Sequence, residues 1–369
     1  MRRSCLFACC LALSLPGFAQ ETQVPKTPFQ TKGAVSAYRY EPIVSVECDG
    51  AAIPPSDSAR LICDLVESPQ RSQYLGTFVE QALALSPGIS KEDVSVTWLE
   101  LCRENNGPPA FGHFQGNEML FASGVVRPFY ATALAYQCAI NNVSLKPYAK
   151  DLDAMLAHGN NAATNRLVDA ITNTSSDGHL SKGALTKFAT KRNVVNAFYV
   201  NCLGLENFNA NQKIWVGEPS ASDSQLLGEK LELNYENSNR MTTNQAAALF
   251  YLINAEGIGT KNACKMMKSV MSRALEQAKV GPLAGICGGL PVGSRFFGIN
   301  GYTVRNYNDV GVVVLPNHKT YVLAVFTKYR EYPSNFIALL SELIATDQMT
   351  ETGDNEPATT FGGRPNVGF

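Results

Sequence analysis

The sequence predicts an α/β chain of the α+β type: a five-stranded antiparallel sheet flanked by helices, with an all-helical insert between its two halves. Three observations carry this. One helical and two strand-like segments come first, at 73–85, 94–102 and 111–121. A block of helical segments follows. Three strand-like segments at 302–305, 310–315 and 321–327 and a last helix at 334–346 then close the chain. A single sheet fed from both ends, with the helices between, accommodates that order.

The elements follow from local pattern. Leu75, Phe78, Val79, Ala82 and Leu83 recur at helical spacing and stop before Pro87-Gly88. Residues 94–102 alternate as a strand does, and 111–121 follows across a turn at 105–109. The apolar helix 127–141 carries Pro128, which only a first turn tolerates. Further helices read at 148–156, 161–171, 182–192, 243–254 and 262–275. The methionines of the last (Met266, Met267, Met271) are core filler rather than a cofactor site. Pro316-Asn317 turns the final hairpin.

The termini read differently. Arg2 and Arg3 precede an apolar stretch from Leu6 to Leu15, and Gly17-Phe18-Ala19 offers a small-residue cleavage site. This is the pattern of a secretion signal over 1–19, too short to span a bilayer. The expected location is therefore periplasmic or secreted; a lipoprotein cleaved before Cys9 is the alternative. Residues 20–72 read as a polar linker and a small extension with a strand at 43–47 and a turn at Pro54-Pro55. The main domain spans 73–346, its helical insert about 123–290, and 347–369 reads as a disordered tail.

The chain has 369 residues, a net charge of −1 and 45% hydrophobic residues, so it has enough apolar sequence for a core and no basic run to bind nucleic acid. Cys5, Cys9 and Cys10 leave with the signal. Cys48, Cys63, Cys102, Cys138, Cys202, Cys264 and Cys287 remain, an odd set in a compartment that permits disulfides. Cys48 and Cys63 are the first candidate pair, while Cys138 and Cys202 read equally well as buried thiols. No spacing suits zinc, and no metal or cofactor is implied.

Several segments resemble the class A β-lactamase and serine penicillin-binding (DD-peptidase-like) family. They are Gly116–Ala122, Met155–Leu167 with its N-x-A-x-N-x-L framework, Met241–Leu249, Gly289–Arg295, and Asn308–Val313 with 321–327. The resemblance covers about 73–346 and implies that family's fold. It also implies three motifs, each altered here.

The family's S-x-x-K places a nucleophilic serine and a basic lysine on one helix face. The matching positions are Gly124, which has no nucleophile, and Arg127, which stays charged and cannot act as a base. Ser123 lies one residue earlier and reads as an N-cap, or alternatively as a displaced nucleophile. The S-D-N motif appears as Gly159-Asn160-Asn161; Asn161 keeps the amide that the family turns toward its substrate. His158 is a candidate substitute acid or base, or a surface residue. The K-T-G motif appears as Ile299-Asn300-Gly301, without the lysine that clamps a substrate carboxylate. Arg295 and Arg305 flank it. Lys230 stands where the family's deacylating glutamate belongs, with Glu229 and Glu232 beside it.

Four positions, Gly124, Arg127, Gly159 and Ile299, depart together. The resemblance therefore leads to an exported pseudoenzyme that binds a peptidoglycan peptide, a β-lactam or a protein in its cleft. The alternative is an active serine hydrolase, on β-lactams or D-Ala peptides, using a nucleophile such as Ser123. A third is an interaction protein with a vestigial cleft. An open groove lined by Asn161, Asn300 and Gly301 favours binding. A plugged groove with Arg127 paired to an acid favours the third.

Overall fold

The computed structural model describes residues 51–101, 108–215, 217–231, 234–275, 284–303, 306–328 and 336–350. The expected signal, the strand at 43–47, Cys48, Cys102, Glu232, Arg305 and most of the expected tail lie outside them.

The sheet has six strands rather than five. Helix α1 (Pro55–Cys63) leads into β1 (Val66–Glu67), and α2 (Pro69–Ala84) into β2 (Val94–Glu100) and β3 (Ala110–Phe114). A pair of two-residue strands, β4 (Leu120–Phe121) and β5 (Arg240–Met241), forms a separate ladder. Strands β6 (Arg295–Thr303), β7 (Asn306–Val314) and β8 (Thr320–Thr327) complete the main sheet in the order β1-β3-β2-β8-β7-β6. Strand β1 pairs parallel to β3, and the other neighbours are antiparallel.

Three expectations change. The strand expected over 111–121 is broken: β3 ends at Phe114, and Gln115, at φ 53°, turns the chain away before β4. The strand expected at 302–305 starts far earlier, at Arg295. Gly298 and Gly311 face each other across the β6–β7 ladder, and the ring of Phe296 covers both. Pro54-Pro55 opens helix α1 instead of making a turn, because the fixed φ of proline suits a first helical turn. Helix α1 docks on the main body, where Ser58 Oγ donates to the carbonyl of Gly257 at 2.6 Å.

The insert supplies α3 (Arg127–Ile140), α4 (Ala149–Leu156), α5 (Asn161–Thr172), α6 (Lys182–Arg192), the single turn α7 (Val194–Asn196), α8 (Ala221–Leu227), α9 (Thr243–Asn254) and α10 (Lys261–Val270). Short α11 (Gly285–Gly288) and α12 (Phe336–Thr350) follow on the sheet's other face. Helix α12 runs past the expected end at 346.

Both faces of the sheet are buried. Val94, Val96, Trp98, Leu323 and Val325 pack with α2 and α12. Val310, Val322, Ala324 and Phe326 pack with the helical insert, as does Met267 of α10. On that face β2 carries Ser95 and Thr97, whose hydroxyls bond Thr243 Oγ1 at 2.9 and 2.8 Å. These bonds satisfy polar groups that burial would otherwise penalise. Cys138, Cys264 and Cys287 are buried and Cys63 is exposed. Burial pushes the thiols of Cys264 and Cys287 up to about 12, so neither is a ready nucleophile.

Candidate functional site

A cleft of about 1050 Å³ opens between β6 and the helical insert. Ser123, Gly124, Arg127, His158, Gly159, Asn161, Ile299, Asn300 and Gly301 all line it. The sequence-predicted positions, Glu232 aside, therefore converge from three separate stretches of chain.

The floor is the turn Ser123–Val126, which runs directly into α3. Asn308 of β7 ties it down: its Nδ2 donates to the carbonyls of Phe121 and Ala122 at 2.8 and 3.2 Å. Ser123 sits at φ 50°, a left-handed conformation costly for a side-chain-bearing residue. Its side chain makes no capping hydrogen bond, which corrects the N-cap expectation: the turn occupies the place where a cap would sit.

Strand β6 meets this turn backbone to backbone. A Cβ on Gly301 would collide with the Gly124 nitrogen and lie 2.6 Å from Gly124 Cα and 2.9 Å from Ser123 Oγ. Glycine at 301 is thus required by close approach. A Cβ on Gly124 would collide with Arg127 Nη1 and lie 2.7 Å from the Asn300 carbonyl oxygen. The guanidinium occupies the space a nucleophile would need.

Helix α5 supplies the opposite wall. Asn160 is its N-cap, its Oδ1 accepting from Ala163 N at 2.9 Å. That leaves Asn161 in the first turn, facing the cleft. Gly159 at φ 61° turns its carbonyl toward α3. Arg127 Nη2 donates to Gly159 O at 3.0 Å and to Asn161 Oδ1 at 2.8 Å. His158 lies at the cleft's rim, its side chain 73% exposed and 3.8 Å from Asp153. It is a surface residue and not part of this constellation.

Arg127 is only 8% exposed. Its Nε is buried without a partner, and Nη1 makes no hydrogen bond. Among the described residues no carboxylate pairs with it. Burial lowers its pKa to about 10, and nearby Tyr302 raises it slightly in return. At neutral pH it remains a cation, in a place where cations are disfavoured.

No helix or strand pattern marks the loop that forms the far wall. Reciprocal side-chain amides pin it on two sides. Asn165 bonds both N and O of Ile214, at 2.8 and 3.0 Å, and Asn239 does the same for Gln212, at 3.0 Å each. This presents Trp215 to the cleft. Below it, Lys213 Nζ donates to Asp169 Oδ2 and Ser176 Oγ, both at 2.6 Å. Arg192 Nη2 donates to Asp223 Oδ1 at 2.7 Å, both side chains fully buried. Burial raises the Asp169 pKa and lowers that of Lys213, their pairing opposing each shift. One of two tryptophans in the chain, beside a lysine before Gly217 and Pro219, was the available clue.

The other cationic lining groups are engaged elsewhere or peripheral. Arg273 lies over the Phe296 ring and 3.6 Å from buried Asp309. Lys230 is exposed on the rim, as is the acid Glu218. Among the described residues no cluster of side chains suits a metal ion, and no helix is long and apolar enough to cross a membrane.

The model of the Beta-lactamase enzyme family matches residues 143–347, more than half of the sequence. The chain belongs to this family. Solved structures of similar fold include PBP-A, at 17% identity and TM-score 0.51, with 74% of this chain and 96% of that one covered. The beta-lactamase from Sphaerobacter thermophilus DSM 20745 also aligns at 17% identity and TM-score 0.51, over 74% and 96%. TLA-3 extended-spectrum beta-lactamase aligns at 15% identity and TM-score 0.53, over 75% and 99%. At these identities the likeness is one of fold. No curated protein sequence matches the chain. The positions that the sequence reading matched to S-x-x-K, S-D-N and K-T-G line one cleft of this beta-lactamase-family chain.

Proposed function

We propose that this protein is a non-acylating member of the beta-lactamase family that uses its cleft to bind a peptidoglycan-type peptide or a protein segment. The observation that carries this is the Gly124–Arg127 contact. No hydroxyl exists at 124, and the space above it holds a guanidinium that two hydrogen bonds keep in place. A cation cannot take a proton from a nucleophile, so the two halves of the acylation machinery are both missing.

The cleft itself is open, and Arg127 has no acid to neutralise it among the described residues. Both points favour retained binding over a vestigial groove. Asn161 supports a peptide ligand: with Oδ1 held by Arg127, its Nδ2 is free to donate to a ligand carbonyl. On this reading residues 1–19 are a cleaved signal, and the protein meets its ligand outside the cytoplasm.

A second reading has one observation in its favour. Ser123 lines the cleft in a strained backbone conformation, a feature that clusters at functional sites. It would make the protein a serine hydrolase with a displaced nucleophile. Soluble peptidoglycan fragments separate the two. Saturable binding to the mature protein with the fragments recovered intact is expected. Cleavage of the fragments, lost in Ser123→Ala, would establish the hydrolase instead.

A further inference from the structure

His113, at the end of β3, is held through both ring nitrogens. Its Nδ1 accepts from Gly116 N at 3.1 Å, and its Nε2 lies 3.3 Å from Glu67 Oε1 of β1. A backbone N–H can only donate, so Nδ1 carries no hydrogen in this arrangement and Nε2 does. The imidazole side chain is 17% exposed and the Glu67 side chain 54%. Gly116 sits in the bend that Gln115 begins at φ 53°, and a Cβ on it would lie 2.5 Å from both Asn244 Oδ1 and His113 Cβ. Its carbonyl accepts from Asn244 N at 3.3 Å, in the first turn of α9. The chain then passes through β4 into the turn Ser123–Val126. One imidazole thus ties the edge of the sheet to the bend that leads into the cleft floor.

We propose that His113 is a pH-sensitive latch: protonated in mildly acidic solution, it releases Gly116 and loosens the path from β3 into the cleft floor. Protonation from solvent puts a hydrogen on Nδ1. Two donors then face each other and the Gly116 bond is lost, while the Nε2 contact with Glu67 becomes an ion pair. Imidazole is the side chain whose ordinary titration falls in this range. The charged surroundings favour the transfer. Glu67 faces the ring from β1. On β2 the residue opposite is Thr97, which bonds Thr243 and Asn244 of α9, and α9 itself carries no charged residue. Arg71 of α2 pairs with Glu100 of β2 over Trp98, on the sheet's other face. Glu118, in the bend, is exposed. Gln115 has ties of its own: its carbonyl accepts from Ser95 Oγ at 2.9 Å, and its Nε2 donates to the Lys91 carbonyl at 2.6 Å. The release therefore stays local.

The test follows backbone amides of the mature protein from about pH 8 to about pH 5, with the His113 ring titrated in the same samples. The amides of Gly116, Asn244 and Gly124 are expected to shift with one midpoint, that of the ring. At the acid end the Gly116 amide should exchange about three- to tenfold faster than its intrinsic pH dependence predicts, the worth of one hydrogen bond. His113→Asn keeps an acceptor near the place of Nδ1 and cannot titrate, so these shifts should vanish. Groups that titrate elsewhere, His158 at the cleft rim among them, are present in both proteins and cancel in the difference. Glu67→Gln, an exposed change that leaves the fold intact, should lower the midpoint by a few tenths of a pH unit. A Gly116 amide that ignores the ring's titration, a Gly124 shift that persists in His113→Asn, or a midpoint unmoved or raised in Glu67→Gln would each overturn the proposal.

Discussion

Arg127 Nη2 donates to Asn161 Oδ1 at 2.8 Å, and this single bond orients the Asn161 side-chain amide. A guanidinium has only donors, so the oxygen of Asn161 must face it and the nitrogen must face away. Cutting the bond should therefore change ligand preference before it changes the fold. Asn161→Asp inverts the chemistry, placing an acid beside Arg127. It should neutralise the cation and raise stability by about 1–2 kcal/mol. Denaturant unfolding checks this.

Restoring the serine alone should not restore chemistry. Gly124→Ser puts a side chain into the guanidinium and against the Asn300 carbonyl. It should cost about 1–3 kcal/mol in overpacking and yield no β-lactam turnover. A chromogenic β-lactam assay and a urea melt on the same preparation measure these.

The buried charge at 127 has a pH signature. In the folded chain burial lowers its pKa to about 10, below the ordinary value of an arginine. Between these values the unfolded chain holds the proton and the folded chain does not, so this group's contribution to stability grows as pH rises through that window. Below about pH 10 the full penalty applies. Arg127→Met should therefore be more stable than the native sequence at pH 7, by roughly 1–3 kcal/mol. The advantage should shrink above pH 10. Taking the difference between the two proteins cancels the buried tyrosines, such as Tyr130, whose raised pKa values act in the opposite direction.

The wall that carries Trp215 stands on the Arg192–Asp223 pair. Asp223 also accepts from Ser176 and Ser220, at 2.8 and 2.6 Å. Asp223→Ala leaves Arg192 buried with the Thr174 hydroxyl at 2.8 Å and, among the described residues, one carboxylate, Asp169, at 3.6 Å. It should cost about 3–5 kcal/mol. In a Trp98→Phe background, where Trp215 is the remaining tryptophan, the same change should red-shift the emission as the loop loosens.

Much of this was legible in the sequence. Helices 182–192 and 243–254 match the observed bounds, because capping residues Ser181 and Thr242 and apolar spacing agree there. The altered motifs also fell in one cleft, since three short stretches at the correct order and separation are a stronger signal than any one. Other features were hidden for physical reasons. Strand β6 reads poorly because Gly298 and Gly301 interrupt its apolar alternation, and each is there for a close approach that only the partner strand or turn reveals. Strand β1 is two residues long and carries no pattern. Arg127 could be matched to the lysine position, but its bonds to Gly159 and Asn161 and its lack of an acid are long-range facts. The amide clamps around Gln212 and Ile214 join residues far apart in the chain and follow no local rule.

The central claim is that a guanidinium has replaced the nucleophile. The most direct measurement is intact mass of the mature protein after incubation with a fluorescent penicillin, beside Ser123→Ala. No covalent adduct on folded protein is predicted, with identical spectra for the two chains. A stoichiometric adduct that disappears in Ser123→Ala would contradict the account and make Ser123 the nucleophile.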